Sequence, residues 1–145
     1  MHPAVRSALR QAALYTDGQQ YCLVHLPPQA IAVAAATLGE IGAAFCALIA
    51  DKDEVSLVLR ETDFEQLIDR LPQHRAQCGF HLITFDIPLE QTLVGFMAAV
   101  SAALAQAGVP LMAYSAYERD HLLIPGGHLA TALETLYRLK VEAGQ

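Results

Sequence analysis

The chain has 145 residues and a formal net charge of −6, with nine Lys and Arg scattered among fifteen Asp and Glu. Tracking a phosphate backbone needs clustered cations, so this balance argues against a nucleic-acid partner. Apolar residues make up 54% and charged ones 17%, which is ample for a core and leaves disorder expected only over 142–145.

Residues 1–14 mix apolar positions with Arg6, Arg10 and Gln11, unlike the basic tip and greasy core of a signal peptide. A strand is expected at 20–26, followed by an ambiguous proline-started segment at 27–38. The run 30–50 carries Glu40 as its only charge, but a mid-membrane carboxylate costs about 2.5–3.5 kcal/mol. Its alanine-rich composition and the glycines Gly39 and Gly42 point instead to a helical or irregular piece and a strand at 43–50. No membrane association is expected. A turn at 51–53, a strand at 55–60 and a helix at 62–71, with Thr62 and Glu65 as its capping box, complete the first half. Pro72 ends it, and the polar 73–79 reads as a joint.

The second half repeats that order. A strand at 80–87 leads to a helix at 90–107, with Leu89, Leu93, Met97, Val100 and Leu104 on one stripe and Gly108 and Pro110 as its stop. Strands at 109–117 and 121–124 flank the charged tip Glu118, Arg119 and Asp120, and a helix at 127–140 carries Leu129, Ala132, Leu133 and Leu136 on one face. The fold class is therefore α+β: two ferredoxin-like βαββα units, antiparallel sheets with helices on one face, the first unit degenerate in its first helix. The expected boundaries are 1–72, a joint at 73–79, and 80–141.

Cys22, Cys46 and Cys78 are odd in number and far apart, two of them inside apolar runs. That pattern suits small hydrophobes in a reducing compartment, so cytoplasmic residence is expected.

The second half also carries Gly95, the helix end Ala107-Gly108-Val109, and Ser115-Ala116-Tyr117-Glu118-Arg119-Asp120-His121-Leu122-Leu123-Ile124. This resembles the tandem ACT-domain proteins, the family grouped with the arginine-sensing ACT proteins and the ACT repeats of aspartate kinases. The opening strand Tyr21-Cys22-Leu23-Val24-His25-Leu26-Pro27-Pro28 is similar to that of small bacterial members. The resemblance implies two ACT units, a homodimer, and an amino acid held at a domain or subunit interface in a regulatory, non-catalytic protein. By matching positions it implies Thr92, Val94 and Gly95 on the helix-entry side and Ser115, Tyr117 and Asp120 on the strand-turn side.

A helix start offers unpaired amides and a dipole that favour a ligand carboxylate, while Asp120 could accept from an amino group. Each residue also has a plain structural reading: Gly95 as a close-packing site, Ser115 bonded to backbone, Tyr117 as half-buried packing, and Asp120 as a turn former. Other readings are a small enzyme using His121, or a structural dimerisation partner of a larger enzyme. His25, His81, His121 and His128 form no recognisable acid-base or metal set with one another, nor do the cysteines. No cofactor and no metal are called for.

Overall fold

Two separate apolar clusters organise the chain, and each belongs to its own unit: Gln19–Phe80, and Met1–Gly18 together with His81–Gln145. The computed structural model describes residues 1–145 and contains five α-helices and seven strands.

In the unit Gln19–Phe80, β2 (Gln20–Leu26) and β4 (Val55–Arg60) pair antiparallel with Cys22 opposite Leu59 and His25 opposite Ser56. Side chains alternate across a strand, so Cys22, Val24 and Leu26 share a face with Val55, Leu57 and Leu59. That face joins Ala30, Ala34, Phe64 and Leu71 in the core. The ambiguous 27–38 segment is a 3-10 turn, Pro28–Ala30, running into α2 (Ile31–Leu38), which buries Ala34 and Thr37. β3 is confined to Ala47–Ala50 and pairs with β4. Asp51 Oδ1 closes the turn between them, accepting from the amides of Asp53 at 2.8 Å and Glu54 at 2.9 Å. The helix α3 (Glu61–Leu67) lacks the expected capping box: no side chain caps it. The pair Arg60–Asp63 ties its first turn instead, with Arg60 Nε donating to Asp63 Oδ2 at 2.7 Å. Hydrogen-bonded neighbours run β3-β4-β2-β5, where β5 is Arg75–Asp86. The 73–79 stretch is thus largely strand, not a joint.

The other unit is built on the second half of β5. α4 (Phe96–Gln106) buries Phe96, Val100 and Leu104, and α5 (Leu129–Ala143) buries Ala132, Leu136, Leu139 and Ala143. Both stripes meet Ile83 and Phe85 of β5 and Leu122 and Ile124 of β7 (Asp120–Pro125). Strand neighbours are β5-β7-β6, with β6 spanning Met112–Ser115. The fourth strand comes from the chain start: β1 (Ala13–Tyr15) pairs antiparallel with β5, Ala13 opposite Asp86. Before it, α1 (Pro3–Gln11) buries Val5 and Leu9 in the same core, and Lys140 donates its Nζ to the Ala12 carbonyl. Residues 1–18 therefore pack with the C-terminal unit, where the sequence boundaries had placed them with 19–72. Contiguous boundaries cannot express a strand that returns to pair with a segment some seventy residues on.

Two further expectations are corrected. The 90–107 helix begins at Phe96, because Gly95 has φ 98 and turns the chain out of helical geometry. Cys22 and Cys78 are not free thiols: they form a disulfide across β2 and β5, and Cys46 is the remaining free cysteine. With two of the three cysteines paired, their number and spacing no longer point to a reducing compartment. No helix is long and apolar enough to cross a membrane.

The disulfide spans a sequence separation of 56, so its loss frees a long loop in the unfolded chain. Cys22→Ala/Cys78→Ala should lower the unfolding free energy by about 2–4 kcal/mol. Urea titration of the double variant beside the oxidised parent measures this; equal midpoints would show that the bond stabilises nothing.

Candidate functional site

The segment between β5 and α4 meets the tip of the β6–β7 hairpin. Leu89 N donates to Glu118 O at 2.6 Å, Leu93 N closes a turn on Glu90 O at 3.0 Å, and Ala116 N closes the hairpin tip on Arg119 O at 2.9 Å. Between these two walls lies a cavity of about 380 Å³. Leu89, Glu90, Gln91 and Leu93 line it from the loop, Gly95 to Ala98 from the helix start, and Ser115 to Asp120 from the hairpin.

Gly95 decides how α4 begins. Its φ of 98 belongs to left-handed space that side chains resist, whereas a Cβ there would meet only Val5 Cγ2, at 3.8 Å. Backbone conformation, not close packing, therefore demands glycine. No side chain caps the helix, and its first bond is Ala99 N to Gly95 O at 3.0 Å. The amides of Phe96, Met97 and Ala98 precede that bond and have no intrahelical acceptor, so they present donors and the positive end of the dipole to the cavity.

Four of the six residues marked in the sequence line this cavity: Gly95, Ser115, Tyr117 and Asp120. Ser115 and Asp120 face each other directly across β6 and β7. Thr92 and Val94 are exposed and lie outside the lining, Val94 at 82%. Tyr117 is likewise 82% exposed, which disposes of the packing reading for that ring. The sequence reading missed Leu89, Glu90, Gln91 and Arg119. The helix-period stripe drew Leu89 and Glu90 into a helix, and Arg119 read only as one charge of a tip.

Charge in the cavity is divided. Glu90, Glu118 and Asp120 bring carboxylates, and Arg119 is the one cation among the lining residues. Arg119 Nε donates to Asp86 Oδ1 at 3.0 Å and Nη1 to Glu118 Oε2 at 3.1 Å, bonds that raise its pKa further above the ordinary guanidinium value. A carboxylate is thus favoured at the α4 amides and an ammonium beside the acids. That is the electrostatic outline of a zwitterion.

His121, the enzyme candidate, is not a lining residue. Its Nδ1 lies 2.8 Å from Thr84 Oγ1. Burial pushes its pKa down; Arg119 adds to that and Asp120 partly opposes it. Cys46 is likewise poorly suited to nucleophilic work, because burial and then Asp63 push its thiol pKa up. No three His, Cys, Asp or Glu side chains gather as metal ligands.

Residues 75–138 match the ACT domain family. A search of curated proteins gave no match. Among solved structures, a protein of Agobacterium tumefaciens is 25% identical, with 84% of each chain covered and a TM-score of 0.64. The regulatory subunit of aspartate kinase from Thermus thermophilus is 14% identical over 88% of this chain and 97% of that one, TM-score 0.65. Aspartate kinase of Clostridium acetobutylicum is 12% identical over 88% of this chain and 34% of that one, TM-score 0.67. These findings support an ACT-domain protein with the ferredoxin-like fold, and both cavity walls lie inside the matched segment.

The lowered His121 pKa carries a sign. As pH falls through the ordinary imidazole value of about 6.5, the unfolded chain takes up a proton that folded His121 resists, so stability should fall. His121→Asn should flatten that decline between about pH 7 and about pH 5.5. Urea midpoints across this range test it; parallel profiles for the two proteins would mean that His121 does not contribute.

Proposed function

We propose that this chain is a non-catalytic regulatory or sensor protein that binds an amino acid in the cavity between the start of α4 and the β6–β7 tip. The observation that carries this reading is the juxtaposition of an uncapped helix start with Ser115 and Asp120 on facing strands. The α4 amides take the ligand carboxylate and Asp120 takes its ammonium. Ser115 offers a hydroxyl to either, and Tyr117 covers the mouth. The ACT domain match and the likeness to aspartate kinase regulatory subunits support a small-molecule-binding role for this geometry.

The proposal extends to two ACT units per chain, since Gln19–Phe80 has the same strand-helix-strand-strand-helix order. It also extends to a homodimer. Val94 and Tyr117, both 82% exposed, are large apolar side chains beside the cavity, and a second copy that covers them would close it. Thr92 and Val94 then belong to the subunit contact and not to the lining.

Isothermal titration against the standard amino acids tests the ligand. At least one should bind, and Asp120→Asn should weaken it by about tenfold or more, the worth of a hydrogen bond to a charged group. Silence from every amino acid at millimolar concentration would remove the sensor reading. Sedimentation of Val94→Glu tests the dimer: the parent should sediment as a dimer and the variant as a monomer, whereas a monomeric parent ends that part of the proposal.

A further inference from the structure

A second groove lies wholly within the unit Gln19–Phe80, on the face of the strands turned away from that unit's core. Core positions on β2 and β4 are 22, 24, 26 and 55, 57, 59, so alternation sends Leu23, His25, Glu54 and Ser56 to the other side. Arg75 and Gln77 join them from β5, enclosing about 400 Å³. The Cys22–Cys78 disulfide clamps β2 to β5, and so holds Gln77 and Arg75 beside Leu23 and His25.

Three polar side chains that line the groove have no partner within the chain. Arg75 forms no ion pair, and Ser56 and Gln77 make no side-chain hydrogen bond. His25 Nε2 stands 3.8 Å from Glu54 Oε2, while its Nδ1 is buried with no hydrogen-bond partner. The charges sit at opposite ends: Glu54 at the β4 side, Arg75 at the β5 side, with β2 between.

We infer that this groove binds a second ligand, a linear zwitterion whose carboxylate meets Arg75 and whose ammonium meets Glu54, with its carbon chain lying over Leu23, His25 and Ser56. Two strand spacings, about 9–10 Å, separate the backbones that carry the two charges. An ω-amino acid, with its charges at the ends of a carbon chain, spans that gap better than an α-amino acid, whose charges share one carbon. The site is additional to the α4 cavity and shares no residue with it.

The test is a titration of the full-length, disulfide-intact protein with 4-aminobutyrate and 6-aminohexanoate, read by amide and histidine-ring NMR shifts. Butyrate and propylamine serve as single-charge controls. Saturable shifts at 23–25, 54–56 and 75–77 are expected, with binding weakened by about tenfold or more in both Arg75→Gln and Glu54→Gln. Each variant's remaining amide spectrum reports that it is folded. The inference is overturned by absence of saturable shifts up to about 20 mM, by butyrate binding as well as 4-aminobutyrate, or by affinity indifferent to both substitutions. Shifts confined to Gly95 and Ser115 would also overturn it, since they report the α4 cavity and leave the amino-acid reading of that cavity standing.

Discussion

Strand β5 is the constraint on which both units depend. Its residues Arg75–Phe80 lie in one unit and His81–Asp86 in the other, so twelve consecutive residues supply a strand to each. β5 pairs with β2 in the first unit and with β1 and β7 in the second. Gly79, with φ 86, stands where the change of unit occurs. A Cβ there would touch nothing within 4 Å, so the positive torsion, and not a tight contact, calls for glycine at this position. The same strand carries Cys78 and thereby anchors the disulfide.

The return of the chain start to β5 follows from the same requirement. Without β1, the second half of β5 would show a bare row of backbone groups on the side away from β7. With it, α1 is laid against α4 and α5, and Val5 comes to 3.8 Å from the position of a Gly95 Cβ. The first eleven residues thus support the helix start that forms one wall of the α4 cavity. Fold and site are coupled there: the N-terminal segment contributes no lining residue, yet it packs beneath the glycine that sets how the α4 amides are aimed.

What the sequence revealed was what is local. Alternation gave β2 and β4 at their observed bounds, and the polar tip at 118–120 marked a hairpin whose Ser115 and Asp120 face each other across the pair. The unsigned features were non-local or depended on a single torsion. Residues 1–18 carry no local mark of the strand they pair with, and three cysteines hold no record of which two meet. The helix stripe from Leu89 to Leu104 is continuous in composition, so its break at Gly95 was invisible until the left-handed torsion was known. For the same reason Leu89 and Glu90 were read as helix and missed as lining. Thr92 and Val94 lie just before that break, exposed and outside the lining.

Those misses bear on how the chain handles ligand charge. Had α4 started at residue 90, its first amides would have belonged to Glu90 and Gln91, and a carboxylate side chain of its own would have occupied the dipole's positive end. Starting at Phe96, the helix offers amides flanked by Phe96, Met97 and Ala98, which bring no competing charge. Glu118 and Asp120 stand on the hairpin wall, opposite these amides, while Glu90 shares the loop wall with them. The carboxylate preference of the α4 amides and the ammonium preference of Glu118 and Asp120 therefore occupy different walls of one cavity. The place where α4 starts rests on the torsion of one glycine, because a residue with a Cβ would hold a φ of 98 at position 95 only under strain.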